Sequence, residues 1–453
     1  MSRLVSLAVI AAAAVLSACS TAQRIGDAVW PFGDNRDAAA PATSQDGRVS
    51  ILAIEQQLTP DPALASRRIS VPAPMEVIDW SQPGGTPDNS PPHASGSSAL
   101  ERAWRADLGA GSNNNVKLAA PPVISEGKLF FLDADHRVHA IDAANGNRLW
   151  TQRLRPENGR DRGARGGGVA ASGGRVFVST GFGFVAALDA ASGEEVWRAN
   201  AGAPLHAAPV VSGGRLYAIT NDSELVAMDA NTGDVQWTYQ AIAEPARILS
   251  ASNVAVDGET VIAPFASGEL VALLAANGRR LWVDALSRTG RLTSLAAIND
   301  IAGRPVVDGG VVYAASHSGV LAALDIRSGQ RVWARAFAST QTPLVAGDVL
   351  YAVSVDGALV AFDRAAGGVY WMVQLRRYRD EEERKGRVSW IGPILVGGNL
   401  VLANSLGEVV AAAPENGTIT ARADLDQPLF IPPIAAGGRI YFVTDEARLV
   451  VLH

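Results

Sequence analysis

The sequence predicts an all-β fold, an eight-bladed β-propeller of four-stranded antiparallel blades. Three observations support this prediction. A pattern of Ala, Asp, Gly and Trp recurs along the chain, with successive glycines 47, 40, 45, 51, 38 and 50 residues apart. Short apolar runs follow glycine turns in each repeat, as β-strands do. A tryptophan-containing run precedes the first repeat, and an incomplete repeat ends the chain.

The repeat has the form Ala-x-Asp-x₃-Gly-x₃-Trp. A degenerate copy at 272–282 has Leu274 in place of Asp, and a weaker copy at 411–421 lacks both Asp and Trp. The five complete copies lie at residues 140–150, 187–197, 227–237, 323–333 and 361–371. Each copy predicts one blade, because a β-rich period of about 40–50 residues corresponds to one four-stranded sheet.

Each strand of a repeat follows from its local sequence. Runs such as 214–220 and 310–316 begin with glycine and predict one strand, and a run such as 224–229 predicts the next. The Asp-x₃-Gly step predicts a tight turn, since Asp bonds the backbone ahead of it and Gly accepts a positive φ. We expect the tryptophan on the outermost strand to bridge adjacent blades, with its N–H on a backbone carbonyl. The residues with this docking role are Trp104, Trp150, Trp197, Trp237, Trp282, Trp333 and Trp371.

The two ends of the repeat array predict how the ring closes. The last unit contains strand-like runs at 438–443 and 448–452 and stops before a tryptophan strand. The run at 101–108 contains Trp104 and has no other strands of its own. We expect it to supply the outer strand of the last blade, which brings the count to eight. Closure of this kind removes the exposed strand edges of an open array.

Composition excludes several classes of protein. The 453 residues carry a formal charge of −6, which argues against nucleic acid as the main partner. Only one cysteine is present, so an internal disulfide and a cysteine-rich metal site are excluded.

The N-terminal region predicts export and a lipid anchor. Residues 1–18 have a basic start, an apolar run and a small-residue end, as secretory signals do. The run Leu-Ser-Ala-Cys ending at Cys19 resembles the bacterial lipobox, in which this cysteine is lipidated; the alternative is an ordinary signal with a chance cysteine. Ser20 resembles an outer-membrane address. Residues 19–98 are predicted to be a tether and N-terminal extension, with linker composition at 35–46 and 82–98, followed by the propeller at 99–453.

The repeat resembles the tryptophan-docking motif of the quinoprotein propellers, over residues 101–453. Two families matter within that superfamily: dehydrogenases that bind pyrroloquinoline quinone, and the BamB family of lipoproteins from the outer-membrane β-barrel assembly machinery. A lipobox, a linker and a bare ring resemble the BamB family. This resemblance implies an outer-membrane lipoprotein that faces the periplasm, binds the periplasmic domains of the barrel insertase and assists nascent outer-membrane barrels. It implies no cofactor, no catalysis and no membrane contact beyond the anchor.

The resemblance also implies partner-contacting loops. Residues 298–305 are similar in place to the family's Asp-containing loop, with Asn299 and Asp300 as candidate contacts and Ala302 where a second Asp is expected. The other loop corresponds to residues 201–209, in which Leu205 and His206 are the candidates.

The sequence leaves two other functions open. One is a periplasmic quinone-dependent dehydrogenase, against which stand the missing cysteine pair and the short chain. The other is an envelope-binding propeller for a different partner.

Three polar segments of the sequence are candidate sites. His136 and His139 are expected on opposite faces of a strand, with Asp133 and Asp135 on one face, an arrangement too poor in ligands to predict a metal site. Residues 166–168, three glycines, are interpreted as a flexible basic loop. The charged run at 376–387 is either a solvated loop or helical turn, or a contact surface for a charged partner or anionic lipid.

Overall fold

A computed structural model describes residues 58–114, 116–118, 120–156, 164–242, 252–286 and 300–453, and it confirms the eight-bladed propeller. Eight four-stranded antiparallel sheets follow one another around the ring. The first strands of neighbouring blades contact each other, so they form the inner wall of the ring. The predicted signal at residues 1–18, Cys19 and Asn299 lie outside the described residues.

The strands of blades 1 to 4 are, in order, β2 (Val123–Ser125), β3 (Lys128–Leu132), β4 (Arg137–Asp142) and β5 (Arg148–Arg153); β6 (Gly167–Ser172), β7 (Arg175–Thr180), β8 (Phe184–Asp189) and β9 (Glu195–Asn200); β10 (Val210–Ser212), β11 (Arg215–Ile219), β12 (Glu224–Asp229) and β13 (Val235–Gln240); and β14 (Ala255–Asp257), β15 (Thr260–Pro264), β16 (Glu269–Leu274) and β17 (Arg280–Ala285).

The strands of blades 5 to 8 are β18 (Val306–Asp308), β19 (Val311–Ala315), β20 (Val320–Asp325) and β21 (Arg331–Ala336); β22 (Leu344–Ala346), β23 (Val349–Val353), β24 (Ala358–Asp363) and β25 (Val369–Gln374); β28 (Trp390–Val396), β29 (Asn399–Asn404), β30 (Glu408–Ala412) and β31 (Ile419–Asp424); and β32 (Ile434–Ala436), β33 (Arg439–Val443), β34 (Arg448–Leu452) and β1 (Arg102–Asp107). A separate hairpin pairs β26 (Tyr378–Asp380) with β27 (Lys385–Arg387), and a 3₁₀ helix spans Pro62–Leu64.

The propeller has two faces that differ in their connections. Because consecutive strands are antiparallel, the turns after the first and third strands of each blade share one face, which we call the turn face. The turns after the second strands and the connections between blades share the other, which we call the loop face. Backbone hydrogen bonds agree: the Ala190 N–H donates to the Gly174 carbonyl on the turn face, and the Asn221 N–H donates to the Pro204 carbonyl on the loop face.

The docking tryptophans occupy the predicted position on the fourth strands. Six of the seven pair with the alanine of their own repeat, as Trp333 does with Ala323, whereas Trp104 pairs with Val451. In these six the indole N–H donates to a carbonyl of the next blade, as predicted for the bridge between blades. The donor and acceptor pairs are Trp150–Ala190 (3.2 Å), Trp197–Ala230 (3.2 Å), Trp237–Ala275 (2.9 Å), Trp282–Ile326 (2.7 Å), Trp333–Arg364 (2.9 Å) and Trp371–Pro414 (3.0 Å).

The glycine of each repeat has a second role that the sequence did not reveal. Gly367 has a φ of +69°, which its turn requires, and a Cβ at this position would lie 2.7 Å from the Trp333 ring. Only a residue without a side chain meets both conditions. The same contact joins Gly146 to Trp104, Gly193 to Trp150, Gly233 to Trp197, Gly278 to Trp237, Gly329 to Trp282 and Gly417 to Trp371.

The ring closes as predicted, because β1 pairs with β34 in the last blade. The docking contact at this junction differs from the others. The Trp104 ring covers Gly146 and meets Tyr441 edge-on, but its buried N–H has no acceptor among the described residues. The Tyr441 hydroxyl donates instead to the carbonyl of Ala143 in blade 1, at 3.0 Å.

The linker interpretation of residues 82–98 is wrong. Residues Leu58–His453 form one compact unit, and we call residues 58–98 the N-terminal segment. Within it, Gln82, Asn89 and Ala94 are each 2% exposed or less. Composition misled the prediction because the polar side chains of this segment are hydrogen-bonded to the ring, so their burial needs no apolar surface.

The N-terminal segment follows the inner wall from blade to blade. The backbone of Trp80 exchanges two hydrogen bonds with Ile124 of blade 1. The Gln82 side chain donates to the Ala171 carbonyl of blade 2 and accepts from the Val211 N–H of blade 3. The Asn89 amide donates to carbonyls at the starts of blades 4 and 5, and the backbone of Ala94 pairs with Val396 of blade 7. The segment therefore lines the inner wall of the ring and hydrogen-bonds to strands of blades far apart in the chain.

Candidate functional site

A cleft on the loop face is lined by residues of both predicted contact loops. His206 lies in the connection between blades 2 and 3, and Asp300 lies in the connection between blades 4 and 5; both line this cleft. The cleft contains about 470 Å³ of empty space including its solvent-facing mouth. Residues in and beside the turns of blades 3 and 4 form most of the remaining wall, among them Ile219, Asn221 and Phe265, and Ser252 of the connection between these blades adds to it. We call it the loop-face cleft.

The loop at 201–209 holds His206 in the cleft and Leu205 beneath it. Leu205 is completely buried, and its backbone pairs with Thr220 of blade 3. Its side chain belongs to the cluster between blades 2 and 3, so this position does not support the predicted contact role. His206 is half-buried and is the residue of the pair that reaches the cleft.

The three glycines at 166–168 support this loop. The interpretation as a flexible loop is wrong, because Gly167 and Gly168 begin β6 and are buried. The Gly167 N–H donates to the His206 carbonyl at 3.0 Å. A Cβ on Gly166 would overlap the His206 ring. The glycines thus allow the two connections to pack in direct contact.

Asp300 forms a buried wall of the cleft. It is 4% exposed, and its carbonyl accepts a hydrogen bond from the His317 N–H in blade 5. Ala302, which stands at the second acidic position, is also buried. The acidic loop therefore contributes one carboxylate, that of Asp300, to the buried part of the cleft wall. A charge reversal at Asp300 would place a cation in a buried position, which is unfavourable.

A second polar cluster lies where blade 8 meets blade 1. His139 Nε2 lies 2.9 Å from the Asp133 carboxylate, and both side chains are buried. The same carboxylate accepts from the backbone N–H groups of Ala110, Asp135 and Arg137. Burial raises the pKa of Asp133, but the hydrogen bonds from His139 and the backbone outweigh it and lower that pKa below its usual range. The cluster fastens the turn of blade 1 to the connection that leaves β1.

The expected placement of the neighbouring residues was wrong. Asp133 and His136 lie in the turn between β3 and β4, where strand alternation does not apply. Asp135 is exposed and pairs with Arg137, away from the buried Asp133. His136 is buried and packs against Phe182 of blade 2, with ring centres 4.2 Å apart and the ring planes tilted by 39°. Among the described residues, no group of three or more His, Cys, Asp or Glu could hold a metal ion.

Burial of His136 predicts a loss of stability in mild acid. Burial lowers the pKa of His136 against the opposing effect of Asp133 and Asp135. The unfolded chain takes up a proton below pH about 6.5 that the folded chain does not, so the free energy of unfolding falls as the pH falls through that value, by at most about 1.4 kcal/mol per pH unit. We expect His136→Asn, which tolerates the positive φ of this position, to remove this contribution. Urea titrations of both proteins between pH 8 and pH 5.5 measure it; parallel profiles would contradict the prediction.

The charged run at 376–387 forms the hairpin β26–β27, which replaces the predicted solvated loop or helical turn. Arg377 and Arg387 both pair with Asp356 of blade 6, and the Trp390 indole donates to the Arg376 carbonyl at 2.8 Å. The hairpin is thus fastened to the loop face at its base, while the charged residues at its tip are exposed.

The family model described as outer membrane protein assembly factor BamB matches residues 100–160, 134–373 and 356–453. These stretches together cover the whole ring. The chain belongs to the BamB family. The BamB of Shigella dysenteriae is 30% identical to it over 351 residues, which are 77% of this chain and 87% of that protein.

Solved structures agree on the propeller fold. BamB from Moraxella catarrhalis aligns with a TM-score of 0.63 at 21% identity, over 78% of this chain and 99% of that chain. The quinohemoprotein alcohol dehydrogenase of Comamonas testosteroni aligns with a TM-score of 0.64 at 16% identity, over 83% and 80% of the two chains. At these identities the structural likeness shows the fold alone, and the family assignment rests on the sequence matches. Within the described residues, no helix is long and apolar enough to span a bilayer.

Sequence reasoning located two residues of the cleft and missed its walls. Thr220 and Phe265 line it from the turns between the second and third strands of blades 3 and 4, and Pro264 lines it from the end of β15. The sequence contains a pattern that could have located these turns, because each turn precedes the alanine of the Ala-x-Asp-x₃-Gly-x₃-Trp repeat by nearly the same number of residues. Antiparallel alternation places them on the face that carries the connections between blades.

Proposed function

We propose that this chain is a non-catalytic scaffold of the complex that assembles outer-membrane proteins. The observation that carries the proposal is membership of the BamB family across all eight blades. The scaffold role requires binding and positioning only, so no residue is assigned a catalytic or cofactor-binding role. Reconstitution with pyrroloquinoline quinone followed by a dye-reduction assay tests this part, and turnover of alcohols or sugars would overturn it.

The partner in this proposal is the barrel insertase, bound through its periplasmic domains at the loop-face cleft. Support comes from the geometry of the cleft: His206 and Asn221 are half-buried at the surface, and Asp300 supplies negative charge from its buried wall. Ile219 and Ala266, which are also half-buried, supply apolar area. A concave surface with a few polar groups on apolar walls fits an inserted loop of a partner protein. Asn299, next to Asp300 in the chain, belongs to the same candidate set.

The proposal includes a lipid anchor at Cys19 that holds the scaffold at the outer membrane, facing the periplasm. Several acyl chains make a stable anchor, because each buried CH₂ contributes about 0.8 kcal/mol. Nascent barrel strands are proposed as transient clients, since strand pairing to an exposed blade edge needs only backbone hydrogen bonds.

A pair of matched substitutions tests the binding face. Ala266→Arg places a long cation at the wall of the loop-face cleft, and Ala191→Arg makes the same change on an exposed turn of the turn face. We expect Ala266→Arg to weaken capture of the insertase by about tenfold, equivalent to about 1.4 kcal/mol, and Ala191→Arg to leave it unchanged. The measurement is affinity purification of the full chain from gently solubilised membranes, with quantitative mass spectrometry.

Melting temperatures of both variants serve as the control, and we expect both to match the parent protein. Equal capture by the two variants would remove the loop-face cleft as the binding site. Capture of a soluble redox or cell-wall enzyme in place of the insertase would overturn the proposed function itself.

A further inference from the structure

A cavity remains inside the ring between the N-terminal segment and the loop face. Trp80, Asn89 and Pro91 of the N-terminal segment line one side of it. The connections that lead into the inner strands line the other, with Arg304 and Thr342 among them. The cavity contains about 410 Å³ of empty space, including its opening. We call it the central cavity, and its walls are distinct from those of the loop-face cleft.

Most of the wall of the central cavity is apolar. Besides Pro91, six lining residues are prolines or aliphatic residues. Four of them belong to the starts of blades 6 and 7, and two are prolines in the connection that leads into blade 8. These residues are Pro343, Leu344, Pro393, Ile394, Pro432 and Pro433. Gln341 and Thr342 add neutral polar groups. A ligand with an apolar part therefore finds a matching surface here.

Arg304 is the one charged residue among those described that line this cavity. Burial lowers the pKa of Arg304 to about 10, and no carboxylate of the described part of the chain compensates the guanidinium. Its Nε–H is buried and has no acceptor among the described residues. The side chain remains protonated at neutral pH. Arg304 as a whole is half-buried, and a bound anion would pair with its charge and accept from the buried Nε–H.

Trp80 supplies a second unpaired donor to the same cavity. Its side chain is 4% exposed, and its indole N–H has no acceptor among the described residues. Three polar atoms of the lining residues have no partner among the described residues: the donors Arg304 Nε–H and Trp80 N–H and the acceptor Asn89 Oδ1. Buried polar groups are paired in nearly all folded proteins, and donors outnumber acceptors in this set, so the cavity has room for a further acceptor. One of the two donors carries a positive charge, and this makes an anion the fitting acceptor.

We propose that the central cavity binds a small organic monocarboxylate, whose oxygens accept from the Arg304 guanidinium and the Trp80 indole and whose apolar part packs on the proline-rich wall. A monocarboxylate fits better than a phosphate, because one cation neutralises it and few donors satisfy it. Phosphate carries up to two charges and demands more donors than these walls offer. The N-terminal segment covers the turn-face side, so the ligand enters from the loop face.

Calorimetric titration of the full chain with butyrate tests the proposal, with inorganic phosphate and chloride at matched ionic strength as the other arms. We expect saturable heat with butyrate alone. Arg304→Leu should abolish this heat. Trp80→Phe should weaken binding by about fivefold, the loss of one hydrogen bond of about 1 kcal/mol.

The stability of the same proteins gives a second readout. Arg304 is half-buried and has no ion pair among the described residues, so in chloride we expect Arg304→Leu to melt within a few degrees of the parent. Butyrate should raise the melting temperature of the parent and leave that of Arg304→Leu unchanged. Equal butyrate shifts in the two proteins, no saturable heat with the parent, or tighter binding of phosphate than of butyrate would overturn the proposal. If Arg304→Leu does not fold, Arg304→Lys and Trp80→Phe decide, since both should weaken butyrate binding.

Discussion

Replacing Trp333 by alanine is expected to lower the free energy of unfolding by about 3–5 kcal/mol, as for other large-to-small core substitutions. The ring is 7% exposed between blades 5 and 6 and packs on Tyr313 and Phe362. Its N–H donates to the Arg364 carbonyl at 2.9 Å. Alanine removes the packing and leaves the carbonyl without this donor. Urea denaturation at neutral pH measures the change.

Two companion variants separate the parts of this contact. Trp333→Phe keeps most of the apolar area and loses the hydrogen bond, so we expect a smaller loss than for alanine. Gly367→Ala introduces a Cβ 2.7 Å from the ring at a φ of +69° and should destabilise the same contact from the other side. Because the two residues touch, their effects should not add in the double variant. A loss below about 1 kcal/mol for Trp333→Ala, the size of a surface substitution, would contradict the docking role.

Removing residues 1–98 is expected to destabilise the propeller by more than about 3 kcal/mol, the amount associated with the loss of one buried tryptophan. The deletion removes Trp80 and also the hydrogen bonds by which Gln82 and Asn89 join neighbouring inner strands. The ring would then expose the inner wall that the N-terminal segment covers. Differential scanning calorimetry of a chain that begins at residue 99 provides the measurement.

A chain that begins at Leu58 is the matched control, because it keeps the whole N-terminal segment. We expect its melting temperature to equal that of the full chain. Asn89→Ala, which removes the donor to the Val254 and Pro305 carbonyls, should have an intermediate effect of about 1–3 kcal/mol. Equal stability of the chains that begin at 58 and at 99 would show that the segment contributes nothing to the ring.

The blades were predictable because each one is specified locally. Ala323, Asp325, Gly329 and Trp333 lie within eleven consecutive residues and build a turn and two paired strands together. Because the pattern recurs along the chain, it can be recognised even in the copy in which Leu274 replaces Asp. The last repeat lacks a fourth strand, and the run around Trp104 has no blade of its own. The pairing of β1 with β34 could therefore be predicted.

The functional surfaces were less predictable because they join distant residues. His206 and Asp300 are 94 positions apart and meet only because blades 3 and 4 curve between them. The family resemblance located both connections, and it also nominated Leu205, which the packing of blades 2 and 3 buries completely. Sequence could not distinguish these neighbours, since exposure in a connection depends on the blade on either side.

The amino-acid sequence alone determines the blade number, the closing strand and the docking tryptophans of this protein, because these features repeat with short-range spacing. The tertiary structure decides where residues 58–98 lie and what the ring encloses. Trp80 and Arg304 are separated by more than 200 residues, and neither belongs to the repeat. They line one cavity because the ring places every inner strand around a common axis, where a single extended segment can hydrogen-bond to blades far apart in the chain.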